Sequence, residues 1–196
     1  MSSVVRPTQQ DIDAYGYLGL RMGADDFLGL GQTRERYELV HGVVCMSPRP
    51  NTLHQTLLLL IAEQLRAYCR SQAGARVFPD VDVVVAGDTV YAPDLVCYLP
   101  GRVKGYPVRL DTAPDLVVEI LSHGTKAFDL TTKLDDYQKF GVPEYWTYDP
   151  SDGQLRCFRR NGAELVRVPV SGERVESTAL PGFVLDLRPL REAASI

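Results

Sequence analysis

Glu119 is the residue whose type and surroundings point most directly to chemistry. It lies inside the apolar run Leu-Val-Val-Glu-Ile-Leu at residues 116–121, which is typical of a strand buried on both faces. A carboxylate in such a strand costs several kcal/mol unless it is paired, protonated or bound to a metal ion. We therefore expect Glu119 to belong to a charged site. The structural alternative is that Glu119 lies near the end of its strand and that an arginine pairs with its carboxylate.

Asp94 is the carboxylate that could join Glu119. The tetrapeptide Pro-Asp-Leu-Val occurs at residues 93–96 and again at 114–117, and each copy begins a predicted strand. Asp115 shares a strand with Glu119, but four residues along a strand span ~13 Å, which is too far to share one ion. We expect Asp115 to cap the strand start. Asp94 lies on a different strand, and adjacent strands are ~4.8 Å apart, so Asp94 and Glu119 form the feasible pair.

Lys133 is the predicted third member of the site. All but four of the 21 basic residues are arginine, so a retained lysine is of interest. Lys133 is three residues after Leu130 and four before Tyr137, and it therefore borders the apolar face of a helix predicted over residues 130–140. The structural alternative is a salt bridge to Asp129 one turn earlier, worth only ~0.3–0.5 kcal/mol and compatible with a functional role.

Two carboxylates and a lysine beside a sheet suit the hydrolysis of phosphodiester bonds. Carboxylate oxygens are hard ligands that select Mg²⁺ or Mn²⁺. Such an ion polarises a phosphate and lowers the pKa of a water molecule, and a lysine can orient that water or stabilise developing charge. A compact ammonium group fits this role better than a planar guanidinium group. The three residues therefore predict a hydrolase site that depends on Mg²⁺ or Mn²⁺.

The composition is that of one globular domain. The chain has 196 residues, of which 45% are apolar and 23% charged, enough for a core of its own. The formal net charge of −4 argues against a protein that coats DNA, but a nuclease needs only a local basic groove.

The sequence shows no targeting or membrane segment. Residues 1–11 hold no apolar segment of the signal-peptide type, and no apolar run is long enough to cross a bilayer. We therefore expect a cytoplasmic protein without a membrane partner. The four cysteines form no CxxC pair, which argues against a cysteine-based zinc site.

The elements that must position these residues follow from periodicity and turn signals. A long helix is expected to begin at the capping box Thr52/Gln55 and to end before Gly74. A second helix is expected to begin with Asp129 as its N-cap and to end at Gly141. Turns at residues 41–42 and 87–88 predict two hairpins. Short helices are possible near residues 9–18 and 24–30. The predicted strands cover residues 37–40, 43–46, 81–86, 90–98, 116–121, 145–148, 155–159, 165–170 and 183–187.

Several motifs form a joint pattern that is more specific than any one of them. They are Tyr37-Glu38-Leu39-Val40 with Gly42, His54, Pro93-Asp94, Glu119-Ile120-Leu121-Ser122, Asp129, Lys133, Tyr137, Gly141-Val142-Pro143-Glu144-Tyr145-Trp146, Asp149-Pro150 and Leu180-Pro181-Gly182. This pattern, from about residue 25 to 190, resembles the Uma-two family of restriction-endonuclease-like proteins, which belongs to the PD-(D/E)XK nuclease superfamily. The resemblance implies a mixed α/β fold with a restriction-endonuclease-like core, in which helices flank a central mixed β-sheet and extra strands lie at the C-terminus.

The resemblance also implies which residues form the site. Asp94, Glu119 and Lys133 are the expected catalytic residues, with Glu38 as an accessory acid. Asp94 and Glu119 would bind the metal ion, and the backbone carbonyl of Ile120 could complete its shell.

Two positions depart from the pattern, and further residues are expected nearby. The superfamily usually places a lysine two residues after the acid, where this chain has Leu121; the family resemblance instead assigns the role to Lys133 on the following helix. His123 stands where related sequences usually have proline, and we interpret it as a loop variant. His54 is interpreted either as a histidine at the edge of the core or as a neighbour of the site. Asp80 and Asp82 could also assist the site, and the sequence does not choose between them.

The function predicted from these observations is a metal-dependent endonuclease that acts on DNA. The alternatives are a catalytically inactive nucleic-acid-binding or regulatory module and an oligomeric structural protein on the same fold. The predicted organisation is an N-terminal extension over residues 1–33, a restriction-endonuclease-like domain over 34–190 and a tail over 191–196. The segment over residues 4–30 could contact a second copy, and a homo-oligomer is expected because cutting two strands often employs two subunits.

Overall fold

The computed structural model describes residues 16–31 and 33–195. The helical segments are α1 (Ala24–Leu28), α2 (Thr52–Ser71), α3 (Lys126–Phe128), α4 (Leu134–Phe140) and α5 (Arg188–Ala194), and a π-helical turn (Asp129–Lys133) joins α3 to α4. The strands are β1 (Tyr37–Val40), β2 (Val43–Met46), β3 (Arg76–Pro79), β4 (Val83–Ala86), β5 (Thr89–Tyr91), β6 (Leu95–Tyr98), β7 (Leu116–Ile120), β8 (Glu144–Asp149), β9 (Gln154–Asn161), β10 (Glu164–Val168), β11 (Arg174–Glu176) and β12 (Val184–Asp186).

Two sheets carry the fold. The larger sheet has six strands in the order β10-β9-β8-β7-β6-β3. Its central pair, β7 and β8, is parallel, and the other neighbours are antiparallel, so the sheet is mixed as predicted. The smaller sheet has four strands in the order β2-β1-β5-β4. Strands β11 and β12 form a separate pair near the C-terminus.

The alternation of side chains along β7 decides what faces the site. Leu116, Val118 and Ile120 belong to a core cluster that includes buried residues of α2 and of the C-terminal segment. Val117 points to the opposite face, into a cluster with Tyr137 of α4. Because side chains of a strand alternate, Glu119 shares the face of Val117 and points toward α4. Helices thus flank the central sheet on both faces.

The predicted strand over residues 90–98 is wrong, because the chain breaks into β5 and β6. These two strands belong to different sheets, and Ala92, Pro93 and Asp94 connect them. Proline has no N–H to donate to a ladder and fixes its own φ angle, so it does not continue a central strand. The break has a functional consequence, since Asp94 lies where the chain passes from the smaller sheet to the larger one.

Both predicted helix starts differ from the structure. Asn51, not Thr52, is the N-cap of α2, because the Asn51 side chain accepts a hydrogen bond from the backbone N–H of His54 at 2.8 Å. Asp129 is no N-cap, because helical structure already begins at Lys126 and Asp129 has helical backbone angles within the π turn. The predicted end of the second helix at Gly141 is confirmed. Gly141 follows α4 with φ 92°, a conformation that glycine adopts without strain.

The ends of the domain pack against its centre. Ala24 and Phe27 of α1 share a core cluster with Leu39, Val44 and Val90 of the smaller sheet. At the other end, α5 spans the predicted boundary at residue 191 and buries Leu190 in the main core. The predicted helix at residues 9–18 lies mostly outside the described residues. The segment 4–30, to which an oligomer contact is assigned, lies partly outside them, and the oligomer stays a prediction.

Two smaller findings complete the comparison with the sequence. The predicted strands include neither β3 nor β11. The three residues of β11 include a single apolar side chain between two charged ones. Among the helices of the described residues, none combines the length and the apolar character needed to cross a membrane.

Candidate active site

The candidate site lies in a cavity of about 300 Å³ where the two sheets and the π turn meet. Glu38 comes from β1 of the smaller sheet, and Asp94 comes from the connection between the sheets. Glu119 comes from β7, and Lys133 closes the π turn. All four side chains line this cavity although they are far apart in sequence.

Asp94 and Glu119 lie side by side, which is the pairing that strand spacing predicts. Leu95 pairs with Val118, so the next residues along each strand face one another. The backbone N–H of Asp94 donates to Glu119 Oε2 at 3.2 Å, and the N–H of Ile120 donates to Asp94 Oδ2 at 2.7 Å. Each carboxylate therefore accepts a hydrogen bond from the backbone of the opposite strand.

His54 is a neighbour of the site rather than only a residue at the core edge. It lies in the first turn of α2, and its Nε2 is 3.1 Å from Asp94 Oδ2. The same oxygen accepts the N–H of Ile120. Within the described residues, both of these contacts use Oδ2 and neither uses Oδ1.

Lys133 is enclosed by carboxylates. Its Nζ is 2.9 Å from Glu119 Oε1, 3.2 Å from Glu38 Oε1 and 3.5 Å from Asp129 Oδ1. The simple i,i+4 salt bridge with Asp129 is thus present, but as one of three contacts. The side chain is only 6% exposed, so Lys133 is buried, whereas the sequence placed it at the border of the apolar face.

Glu38 is held in place by three groups. Its Oε1 accepts the backbone N–H of Ala92 at 3.0 Å and contacts Lys133 Nζ. Its Oε2 accepts the hydroxyl of Ser47 at 3.1 Å. Glu119 has a further donor as well, because Tyr137 Oη lies 3.1 Å from Glu119 Oε1.

The electrostatics show an excess of negative charge. Burial raises the pKa of Glu119 to about 8; Lys133 lowers it, and the neighbouring carboxylates raise it. Burial opposes the ionisation of Asp94, but His54 and the N–H of Ile120 hold its pKa below the usual value. Burial also disfavours the charged form of Lys133, yet the carboxylates hold its pKa well above the usual value. The single ammonium group of Lys133 therefore lies among more than one carboxylate.

The residues present fit a small divalent cation. Mg²⁺ is usually held by one or two carboxylates, with water and substrate phosphates completing its shell. Asp94 and Glu119 supply two carboxylates, and the N–H and C=O of one residue in an extended strand point to the same side. The Ile120 N–H points to Asp94, so its carbonyl does too. Within residues 16–31 and 33–195, no three histidine, cysteine, aspartate or glutamate side chains are grouped so that they could hold a metal ion together, so the two carboxylates would depend on water and substrate for the other ligands.

Asp82 does not join the site. It lines an adjoining depression together with Asp80 and Arg36, and it is absent from the lining of the cavity that holds Asp94. Burial and the charge of Asp80 raise the pKa of Asp82. His123, by contrast, lies exposed in the loop after β7 and lines the cavity.

Sequence reasoning does not identify several charged residues of the cavity, among them Asp129 and Lys126. The sequence predicts Asp129 as a helix cap, whereas it is buried and lies next to Lys133. The sequence predicts no role for Lys126, which lines the cavity beside Asp149. The signal for Asp129 was its i,i+4 spacing to Lys133; nothing in the local sequence distinguishes Lys126.

The fold is similar to that of a protein from Anabaena variabilis ATCC 29413 whose crystal structure is described as that of "a putative nuclease belonging to DUF820". The TM-score is 0.73, the sequences are 21% identical, and the match covers 88% of this chain and 99% of that chain. This similarity shows that the two chains share a mixed α/β fold.

Fold and family together define a nuclease-like protein. The family described as Uma2, "Putative restriction endonuclease", matches residues 24–188. The chain belongs to the Uma2 family, which is the Uma-two family that its motifs resemble. No curated protein sequence matches the chain.

Proposed function

We propose that this protein is an endonuclease that hydrolyses phosphodiester bonds of DNA with Mg²⁺ or Mn²⁺ as its cofactor. The observation that carries the proposal is the pairing of Asp94 with Glu119 in a cavity next to Lys133. A cavity with more carboxylates than ammonium groups is suited to a cation. Membership in the Uma2 family, described as "Putative restriction endonuclease", supports phosphodiester hydrolysis.

The roles of the residues follow from their positions. Asp94, Glu119 and the carbonyl of Ile120 would hold the ion, which supplies Lewis-acid activation of the phosphate and of water. Lys133 keeps a positive charge at a fixed place beside Glu119, where it stabilises negative charge that develops on the phosphate. Glu38 holds Lys133 from the opposite sheet. Because these groups are already paired, little reorganisation is needed during the reaction.

The proposal is tested by cleavage of supercoiled plasmid DNA with Mg²⁺ or Mn²⁺. We expect the wild-type protein to convert the plasmid to nicked and linear forms, and EDTA to abolish the conversion. Asp94→Asn should abolish it too, because the amide oxygen is a weaker ligand for a hard cation. Cleavage that persists in EDTA or in Asp94→Asn contradicts the proposal. Metal-independent, salt-sensitive DNA binding without any cleavage would instead indicate a non-catalytic binding module.

A prediction for His54 follows from its contact with Asp94. His54→Asn should weaken Mn²⁺ binding about 10-fold, because partners that orient a metal ligand commonly contribute that much to affinity. Titration calorimetry with MnCl₂ measures the change without any cleavage assay.

His41→Asn is the matched control for His54→Asn. His41 also contacts a buried carboxylate, with Nε2 3.0 Å from Asp136 Oδ1, but it lies outside the cavity. Asparagine tolerates the positive φ of 47° at position 41. Equal Mn²⁺ affinities of the two variants would show that His54 does not position Asp94.

A further inference from the structure

Two lysines line the cavity, and they differ in what they can reach. Lys133 is 6% exposed and has three carboxylates within 3.5 Å. Lys126 begins α3, directly after the loop that follows β7, and its side chain is 42% exposed. A phosphate group at the mouth of the cavity therefore meets the ammonium group of Lys126, whereas Lys133 is buried beside Glu119, next to the phosphate that is cut.

Lys126 is anchored by a buried carboxylate that does not depend on it. Lys126 Nζ lies 2.5 Å from Asp149 Oδ2, and Asp149 is 3% exposed. Arg156 Nη1 lies 3.3 Å from the same oxygen. The other oxygen, Oδ1, accepts the N–H of Ser151 at 3.0 Å and its hydroxyl at 2.6 Å. Asp149 thus keeps two hydrogen-bond donors and the charge of Arg156 when Lys126 turns toward another anion.

The two arginines that line the cavity, Arg36 and Arg49, are less suited than Lys126 to binding a phosphate group. Arg36 donates to the carbonyl of Ala92 and pairs with Asp80 at 2.6 Å, so both partners hold it in the wall. Arg49 is 77% exposed and has only a 3.5 Å contact with Glu35. A mobile side chain loses more conformational freedom on binding than one that is already held in place. Lys126 alone among these three is both anchored and accessible.

We propose that Lys126 binds a backbone phosphate of the substrate next to the phosphate that is cut, and that Asp149 holds Lys126 in readiness at the mouth of the cavity. This inference rests on the proposed function and names a substrate contact within it. Lysine contacts phosphate as a compact point charge, and such contacts position the duplex without reading its sequence.

The test is DNA binding without divalent metal, measured by fluorescence anisotropy of a labelled duplex in EDTA over a series of salt concentrations. Lys126→Ala should weaken binding about 3- to 10-fold at low salt. It should also reduce the slope of log K against log salt by about 1, because one phosphate contact is lost. Lys126→Arg should restore most of the binding, since it keeps the charge.

Lys139→Ala is the matched control. Lys139 is also a lysine of this helical region with one close carboxylate, Asp135 at 2.6 Å, but it lies outside the cavity lining and is 68% exposed. Its removal should leave the salt slope unchanged. Thermal unfolding checks that both variants are folded. We expect Lys126→Ala to fold, because Asp149 keeps its contacts with Ser151 and Arg156.

The outcomes separate this inference from the function it rests on. If wild-type protein binds the duplex and Lys126→Ala has the same salt slope as Lys139→Ala, the role of Lys126 is overturned and the proposed nuclease stands. If wild-type protein binds no duplex at low salt in EDTA, yet cleaves plasmid DNA with Mg²⁺, the phosphate contact is likewise overturned. If it neither binds nor cleaves, both proposals fall.

Discussion

Replacing Lys133 with methionine is expected to lower the free energy of unfolding by about 3–5 kcal/mol, because it leaves buried carboxylates without their cation. Glu38, Glu119 and Asp129 all lie within 3.5 Å of the Lys133 ammonium group, and all three are buried. Methionine matches the lysine stem in length, so the variant removes the charge while it largely fills the space. The expected loss is therefore electrostatic rather than a packing defect.

Urea denaturation followed by tryptophan fluorescence measures this effect, because the single tryptophan of the chain, Trp146, is fully buried. Lys139→Met is the control: it removes an exposed i,i+4 pair with Asp135, which is worth at most about 1 kcal/mol. A Lys133→Met variant as stable as the Lys139→Met variant would contradict a central structural role for the buried ammonium group.

Replacing Glu119 with glutamine is expected to reduce metal-dependent cleavage about 1,000-fold, which corresponds to about 4 kcal/mol of transition-state stabilisation. The variant should nevertheless stay folded. Lys133 keeps Glu38 and Asp129 as partners, and the amide oxygen can still accept the hydroxyl of Tyr137. The substitution also removes a carboxylate whose pKa is raised first by burial and then by the neighbouring carboxylates.

Single-turnover cleavage of a labelled duplex, together with an unfolding curve for each protein, separates activity from stability in this variant. Glu63→Gln on α2 is the control, because Glu63 is exposed and lies outside the cavity lining. If Glu119→Gln cleaves at the wild-type rate, Glu119 is no metal ligand and the proposed mechanism fails. The pair of predictions has a clear signature: Lys133→Met impairs folding, whereas Glu119→Gln impairs cleavage alone.

Much of the candidate site could be predicted because it rests on burial and strand spacing. Glu119 stands out since a charged residue in a fully apolar strand is costly, and the distance along a strand rules out Asp115 as its partner. The mixed sheet, by contrast, is what the resemblance to the Uma-two family implies. The inferences on Glu119 and Asp115 depend only on neighbouring residues in the sequence.

The remaining features depend on contacts that local patterns do not record. Pro93 could have signalled the break between β5 and β6, but only the tertiary structure shows that the chain changes sheets there. The anchor of Lys126 is Asp149, which follows it by more than twenty residues. Asp82 illustrates the opposite error: its distance from Asp94 in sequence is short, yet it faces another depression.

The π turn at residues 129–133 also sets the rotational phase of the helix that follows. Each residue of an α-helix turns the chain by about 100°, and a π turn accommodates one residue more than an α turn. Tyr137, which donates to Glu119, lies beyond this turn, as does Asp136, which accepts the hydroxyl of Tyr91. A single-residue insertion or deletion within the turn would therefore rotate α4 by about 100° and present a different set of its side chains to Glu119.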